Sequence, residues 1–239
     1  MPDSTRSYGQ LRTAGDLERD PVARRLARKA RRQDNRRQQL LRVARDVLVA
    51  RGPEAFTMEQ LARAADTSKA ALYYYFQAKE EVIAALALDV LRREVEALSH
   101  AVIAAERGVD GLIALIRARV EHYLADPDGF RILYVWAPTL GASQRLVLAE
   151  ILPLTAVVSQ TLEAKLQRDR KAGLIHPDVN PARLAQVAWL TSHGLLSYAM
   201  NQPDPASSAW RPLCDEACAA LARGTRIHPA DPAPRITTP

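Results

Sequence analysis

Residues 57–76 read TMEQLARAADTSKAALYYYF, and this stretch decides the predicted fold. Thr57 followed by Gln60 is a capping-box pattern, in which the two side chains satisfy free backbone N–H groups at the start of a helix. A tight turn is expected at Asp66, and Ser68 is a second N-cap that opens another short helix. Two short helices joined by a turn of about three to four residues predict a helix-turn-helix.

The helix that precedes this pair is expected to supply its packing surface. From Val22 the chain has neither Pro nor Gly until Gly52, and its apolar residues recur at helical spacing. Gly52 and Pro53 then end this helix. Because isolated helices need about 12 to 15 residues to persist in water, the short pair must be held by packing. We expect the inner faces Leu61, Ala64, Leu72, Tyr75 and Phe76 to pack on Leu40, Leu41, Ala44 and Leu48.

The aromatic run Tyr73-Tyr74-Tyr75-Phe76 cannot lie wholly in a core. Four consecutive helical residues span about 300° of arc, so one or two of the tyrosines must be exposed. Tyrosine hydroxyls donate to phosphate oxygens, and small residues such as Ala70 allow a helix to approach base edges closely. The pattern therefore favours a DNA-reading helix, and the alternative is an aromatic patch that only packs inside the protein.

These residues resemble the DNA-binding domain of TetR-type bacterial regulators. The resemblance rests on 57–65, 68–76 and 79–82, and it covers about residues 35–94. Asp66 stands where the family usually has Gly, but Asp tolerates a left-handed backbone better than most residues. The resemblance implies an all-α fold in which an N-terminal three-helix helix-turn-helix domain precedes a larger helical domain for ligand binding and dimerisation. The expected boundaries are a disordered or basic extension at 1–33, the DNA-binding domain at 34–94, the larger domain at 95–224 and a disordered tail at 225–239.

The resemblance also assigns the expected DNA contacts. Phosphate contacts are expected at three places: the start of the first short helix, the outward face of the second short helix and the start of the helix that follows it. The beginning of the second short helix faces the major groove. The residues are Thr57, Tyr73 and Lys79 for phosphate, Lys69, Ala70 and Ala71 for the groove, Tyr74 for phosphate or base edges, and Tyr75 partly packed and partly at the DNA.

The positive charge of the chain is concentrated in one segment. Residues 22–45 hold ten basic residues and one acid, so the rest of the chain is net negative although the total is +6. A local basic block indicates a polyanionic partner. We interpret Arg28, Arg32 and Arg36 as part of an arm that follows phosphates or enters the minor groove. The alternatives are a solvated helix face and a membrane-surface helix, and the segment lacks the large apolar face that the latter needs.

The remainder of the chain predicts helices without a catalytic motif. One is expected from about Asp128 to just before Pro138, and a longer one from about Ser143 to Lys171. The five histidines are scattered, and Cys214 and Cys218 are interpreted as small core residues, so neither a metal nor a cofactor is expected. The residues that could line a pocket for a small apolar effector, or simply form core, are Tyr123, Tyr134, Trp136, Trp189 and His193.

The last two helices carry small residues at helical spacing, which suits a four-helix dimer interface. These residues are Ala185, Ala188, Ser192 and Gly194, followed by Ala217, Ala220 and Leu221.

Together these features predict a homodimeric regulator that binds an inverted-repeat operator in double-stranded DNA. Repression relieved by the effector is the favoured output, and the alternatives are an activator or a regulator that answers to a protein partner. A helical enzyme is disfavoured because no catalytic set can be assembled. A cytoplasmic protein is expected, because no apolar run approaches the roughly 18 residues of a membrane span and the N-terminus lacks a signal-peptide core.

Overall fold

The computed structural model describes residues 21–139, 143–202 and 210–226, and every regular element in these ranges is a helix. The all-α prediction is confirmed. The first 20 residues of the expected N-terminal extension and residues 227–239 of the expected disordered tail lie outside the described residues. The chain divides into two compact units, Met1–Gln77 and Ala78–Pro239.

The first unit contains α1 (Pro21–Ala55), α2 (Met58–Ala64) and α3 (Lys69–Tyr73). Within α1 the backbone leaves helical geometry at Gly52, with φ 76° and ψ 165°, and Pro53 follows, so the predicted stop is confirmed. Residues 21–33, part of the expected N-terminal extension, form the first turns of α1. Their Ala, Leu, Arg and Gln residues have high helix propensity, and only Pro21, at the helix start, is unfavourable in a helix interior.

The core of this unit follows the predicted pattern except at Ala64 and at Tyr75, which is only half-buried. Leu61, Leu72 and Phe76 are buried, as is the α1 stripe Leu40, Leu41, Ala44 and Leu48. The inward assignment of Ala64 was wrong, because Ala64 is exposed and Ala62 is buried in its place. Since α2 begins at Met58, which is buried, its inner face falls three and four residues later, at Leu61 and Ala62.

The second unit consists of the remaining helices. These are α4 (Lys79–Ala104), α5 (Gly108–Ala125), α6 (Pro127–Phe130), a π-helical segment (Arg131–Trp136), α7 (Ala137–Thr139), α8 (Ser143–Lys171), α9 (Pro181–Met200) and α10 (Trp210–Thr225). Helix α4 packs against α5 and α8, α9 packs against both of these, and α10 packs on α5 and α9.

The close packing of α5 on α8 depends on Gly108. A Cβ atom at Gly108 would lie 2.7 Å from the backbone of Leu166, so only glycine fits there. The backbone N–H of Gly108 donates to the buried Asp169 carboxylate at 2.6 Å, which gives α5 an N-terminal cap from another helix. This arrangement fixes the start of the helix that carries Arg119 and Tyr123.

The region 127–139 differs from the single α-helix that was expected there. Its central six residues are π-helical, and the N–H of Ala137 bonds to the carbonyl of Ile132, five residues earlier. Such wide turns are rare in proteins, but those that occur are often found at functional sites. This segment carries Tyr134 and Trp136.

The final helices turn part of their small-residue pattern inward. Ala185, Ala188 and Ser192 are buried within the second unit and are not available to a partner, so their assignment to a dimer interface was wrong. Gly194 and Ala220 are exposed. Both cysteines are free and buried, as the core interpretation predicted. No helix among the described residues is long and apolar enough to cross a membrane.

Candidate functional site

The first short helix begins with the predicted capping box. The Thr57 hydroxyl accepts a hydrogen bond from the backbone N–H of Gln60 at 3.2 Å, and the Gln60 side-chain oxygen accepts one from the Thr57 N–H at 3.2 Å. The Thr57 side chain is exposed. The start of α2 is therefore rigid and presents a hydroxyl residue at the surface.

The turn between α2 and α3 depends on a left-handed residue. Asp66 has φ 46°, the only positive value among the described non-glycine residues, so the predicted tolerance of Asp at this position is confirmed. The N–H of Thr67 bonds back to the carbonyl of Ala62 at 3.0 Å. The Ser68 hydroxyl then accepts from the N–H of Ala71 at 3.1 Å and caps α3.

Helix α3 presents a continuous exposed face. Leu72 and Phe76 are completely buried, whereas Tyr74 is 65% exposed and Tyr73 is 43% exposed. The remaining exposed residues of this face are Lys69, Ala70 and Ala71, and Tyr75 is half-buried. The predicted division of the aromatic run into inward and outward residues is confirmed.

Several side chains hold this face in place, and the sequence pattern did not reveal them. Lys69 forms a 3.1 Å ion pair with Glu59 of α2. The Tyr74 hydroxyl accepts a hydrogen bond from Gln33 of α1. The Arg37 guanidinium lies 4.9 Å from the centre of the Phe76 ring. Gln33 and Arg37 are four residues apart on the α1 face that continues into the buried stripe, so helical spacing could have indicated their contact with α3.

The basic residues of α1 form a row at the surface. Arg28, Arg32 and Arg36 are spaced by four residues, so they lie along one side of the helix. Arg28 and Arg32 are exposed, and Arg36 is half-buried and donates to Gln39 at 3.3 Å. Lys79 is the first residue of α4 and is half-buried.

Four of the five residues predicted to line a ligand pocket come together in the second unit. Tyr123, Tyr134, Trp189 and His193 surround an ion pair between Glu94 of α4 and Arg119 of α5. We call these six residues the Glu94 cluster. The fifth predicted residue, Trp136, is half-buried on the π-helical segment.

The ion pair of the Glu94 cluster is completely buried and well bonded. Arg119 Nε donates to Glu94 Oε1 at 2.6 Å, and both side chains are 0% exposed. The hydroxyls of Tyr123 and Tyr134 each donate to Glu94 Oε2 at 2.8 Å. Arg119 also donates to the Tyr134 hydroxyl at 2.8 Å, to Ser192 Oγ at 2.9 Å and to the carbonyl of Trp189 at 3.1 Å. A buried charge is tolerated only with such complete pairing.

Aromatic rings enclose this ion pair. The Arg119 guanidinium lies 4.0 Å from the centre of the Trp189 ring, which allows a cation–π interaction. The Tyr134 ring meets that of His193 at 5.1 Å, edge to face, and that of Phe130 at 5.3 Å. The aromatic rings thus form an apolar shell around the buried ion pair.

Burial and charge set the protonation of these groups. Burial, and then the neighbouring Glu94 carboxylate, raise the pKa of the Tyr123 and Tyr134 hydroxyls, so both stay protonated and able to donate. Burial lowers the pKa of His193, and the nearby Arg119 lowers it further. Burial opposes the charge on Arg119, but Tyr134 and Glu94 outweigh it and raise the pKa of the guanidinium.

Sequence patterns missed Glu94 and Arg119 because each occupies a position that helical spacing assigns to the core. Glu94 lies on the buried face of α4 between Leu91 and Leu98, and Arg119 lies on that of α5. A single charged residue on an otherwise apolar face was the available signal. Two such residues on different helices can pair.

Comparison with known proteins identifies the family. Residues 40–86 match the sequence model of bacterial regulatory proteins of the tetR family. The HTH-type transcriptional activator FasR of Mycolicibacterium smegmatis is 33% identical over 170 residues, which cover 66% of this chain and 74% of FasR. The chain belongs to the TetR family. It is a DNA-binding transcriptional regulator.

Solved structures of TetR-family regulators share the fold. A TetR-family transcriptional regulator of Pectobacterium atrosepticum has a TM-score of 0.62 at 22% identity, over 83% of this chain and 97% of its own. The ketosteroid transcriptional regulator KstR2 of Mycobacterium tuberculosis has a TM-score of 0.59 at 19% identity, over 81% of this chain and 96% of its own. These likenesses extend beyond the helix-turn-helix, so the helices of the second unit also follow the TetR-family arrangement.

Proposed function

We propose that this TetR-family protein binds an inverted-repeat operator as a homodimer and that a small apolar effector controls this binding. The main observation in support of DNA binding is the exposed face of α3. Two tyrosines, a lysine and two alanines lie next to one another on this face. Tyrosine hydroxyls suit phosphate, Lys69 faces the major groove, and the alanines leave room for base edges.

The individual contacts follow from this face. Tyr73 and Tyr74 donate to phosphate oxygens, with Tyr74 also in reach of base edges, and Thr57 binds phosphate from the capped start of α2. Lys69 exchanges its exposed partner Glu59 for DNA. The other contacts proposed are Ala70 and Ala71 in the major groove, Tyr75 at its edge, Lys79 on phosphate, and Arg28, Arg32 and Arg36 on phosphates beyond the helix-turn-helix.

Dimerisation is proposed through the outer faces of α9 and α10. Val187, Leu190, Gly194 and Tyr198 recur at spacings of three and four along α9, and all are exposed. Leu190 is 68% exposed, which is unusual for a stripe of apolar residues without a partner. On α10, Leu213 and Ala220 are exposed as well. A twofold axis would pair these faces into the four-helix interface, with the same patch used twice.

The effector is proposed to act on the second unit around the Glu94 cluster. The residues that would meet it are Tyr123, Tyr134, Trp136, Trp189 and His193. Repression relieved by the effector is the first candidate output. Activation is the second, and it is favoured by the relation to FasR, whose name describes a transcriptional activator.

The experiment that tests DNA binding is selection from a pool of random duplexes with the full-length protein. We expect enrichment of one inverted repeat whose half-sites lie about 34–36 Å apart, or a multiple of that spacing, because two recognition helices must enter grooves on the same side of the duplex. A pool without any enriched sequence after repeated rounds would refute sequence-specific binding. Transcription from a promoter that carries the enriched site then distinguishes repression from activation.

A further inference from the structure

Two cysteines of α10 lie in contact with each other beside a charged group of α5. Cys214 and Cys218 are four residues apart, so they share one face of the helix, and both are free and buried. Their thiols are hydrogen-bonded to each other, and the Arg117 guanidinium lies within hydrogen-bonding distance of the Cys218 sulfur. Cysteines next to a cation are typically reactive, whereas structural cysteines have apolar surroundings.

Cys214 lines a cavity between α5 and α10, and no residue of this cavity belongs to the Glu94 cluster. The cavity volume is about 330 Å³, in the lower part of the range of about 300–1,000 Å³ for small-molecule sites. Cys214 and Trp210 are the buried residues of its wall. The other residues that line it are charged and exposed: Arg117 and Glu121 of α5, and Arg211 and Asp215 of α10. Because exposed side chains can move aside without disturbing the core, the cavity offers a small molecule a path to Cys214.

The contact between the two thiols makes them unequal in acidity. The hydrogen bond from Cys214 lowers the pKa of the Cys218 thiol to about 7, although burial opposes this, and the positive charge of Arg117 acts in the same direction as the bond. The same hydrogen bond, followed by burial, raises the pKa of the Cys214 thiol. Near neutral pH one proton is therefore shared between the two sulfurs, and Cys218 can accept it from Cys214.

A disulfide between the two cysteines does not fit the helix. Residues four apart in an α-helix have Cβ atoms about 5–6 Å apart, whereas a disulfide needs about 3.5–4.5 Å. Helix α10 is continuous from Trp210 to Thr225, so closing the bond would distort it. The cavity suits a carbon electrophile better. Arg117 pairs with Asp215 at 2.9 Å and keeps further N–H donors for a carbonyl oxygen.

We propose that Cys214 is a covalent modification site for a small α,β-unsaturated carbonyl compound that enters the cavity between α5 and α10. The Cys214 sulfur bonds to the β-carbon of the compound while its proton passes to Cys218. The electron pair of the carbon–carbon double bond moves to the carbonyl oxygen, which accepts hydrogen bonds from Arg117. The carbon next to the carbonyl then takes up one proton from Cys218. The product is a thioether, and the reaction needs no oxidant and releases no leaving group.

The test treats the full-length protein with 2-cyclohexen-1-one at neutral pH and follows each cysteine by peptide mass spectrometry. We expect one adduct per chain, at Cys214. Cys218→Ser should slow this reaction by about tenfold or more, because a serine hydroxyl does not take up the proton and a positioned base contributes about 10²–10⁴-fold. Arg117→Gln should slow it by about tenfold, since it removes a donor to the developing oxyanion. Arg223→Gln, an exposed arginine of α10 outside the cavity, is the matched control and should leave the rate unchanged.

A comparison with the unfolded wild-type chain keeps the test decisive if a cysteine variant does not fold. In concentrated urea the two thiols separate, so the rate at Cys214 is expected to fall by about tenfold although the thiol becomes fully accessible. A cysteine that only packs in the core would react faster after unfolding. That result, an adduct that forms first at Cys218, or equal rates in the wild-type protein and Cys218→Ser would overturn the inference. The test needs no DNA, so its outcome is independent of the proposed function.

Discussion

At the scale of single residues, the aromatic run of α3 divides between the core and the exposed face that we propose to contact DNA. Leu72 and Phe76 occupy the inward side of the aromatic run, so the hydroxyl of Tyr73 has no role in the core. Tyr74 is positioned by Gln33 and by an edge-to-face contact with Tyr75 at 5.1 Å. A change at Tyr73 should therefore affect DNA binding and leave the fold unaffected.

Tyr73→Phe is expected to weaken binding by about tenfold on every DNA sequence alike. A hydrogen bond to a charged group contributes about 1.5–3 kcal/mol, and a phosphate contact carries no sequence information. Fluorescence anisotropy with the selected and a scrambled duplex measures both losses. Thr139→Val, which removes an exposed hydroxyl of the second unit, is the control. A loss confined to the selected sequence would show that Tyr73 reads bases.

The stability of the second unit is also expected to depend on single residues, because the buried charges of Glu94 and Arg119 must stay paired. Arg119→Met is expected to lower the free energy of unfolding by about 3–5 kcal/mol, because it leaves the Glu94 carboxylate buried without its cation. The double variant Glu94→Leu/Arg119→Met should recover part of this loss, since no charge then remains inside. Urea unfolding measures the double variant and the two single variants, Arg119→Met and Glu94→Leu. If the double variant loses as much free energy of unfolding as the two single variants together, the two charged residues contribute independently.

Some of these residues were predictable from local rules and others were not. Asp66 was predictable because few residue types accept the left-handed backbone that the turn needs. Ala64 was misplaced because a helix of one to two turns gives too few apolar residues to fix its rotation. Glu94 and Arg119 were missed because their roles depend on each other, and single-chain spacing carries no information on which helices meet.

At the scale of elements, α1 combines two tasks along its length. Its second half packs through Leu40, Leu41, Ala44 and Leu48, while its first half presents the exposed row that includes Arg28 and Arg32. Apolar residues at helical spacing predicted the second half, and the charge pattern predicted a basic segment in the first half, although residues 21–33 were assigned to an extension outside the domain. The π-helical segment was not predictable, because its sequence also suits an α-helix and only the backbone hydrogen bonds of the folded chain show the difference.

Neutralising Arg28 and Arg32 to Gln is expected to flatten the salt dependence of DNA binding. The slope of log affinity against log salt falls by about 0.9 for each phosphate that the protein no longer neutralises, because fewer counterions are released on binding. Titrations at several salt concentrations measure the slope. The matched control neutralises Arg51 and Arg183, which are also exposed. Equal slopes for the double variant and the wild-type protein would show that the row is only solvated.

At the scale of the whole molecule, we propose that the two units have different tasks: the first binds DNA, and the second dimerises and responds to the effector. The family relation makes the chain a DNA-binding regulator, and the exposed stripe on α9 supports a homodimer. The small residues of α9 were a misleading signal for this interface, since Ala185, Ala188 and Ser192 pack inside the unit. Small side chains allow two helices to approach closely, but they do not indicate whether the two helices belong to one chain or to two.

Leu190→Asp is expected to weaken dimerisation by at least tenfold, because it places a charge at the centre of the proposed twofold interface. Analytical ultracentrifugation over a range of protein concentrations measures the dissociation constant. Ile103→Asp is the control, since Ile103 is 64% exposed and Leu190 is 68% exposed, but Ile103 lies at the end of α4. A wild-type monomer at micromolar concentration, or equal effects of the two changes, would contradict this interface.

The central claim is that the exposed face of α3 gives this protein its DNA sequence preference. The most direct measurement is the ratio of its affinities for the selected inverted repeat and a scrambled duplex of equal length, in the wild-type protein and in Lys69→Ala/Tyr74→Ala. We predict a ratio of about 1,000 or more for the wild-type protein, the lower range of specific regulators, and a ratio that falls by at least tenfold in the double variant. Equal ratios for the two proteins would contradict the account.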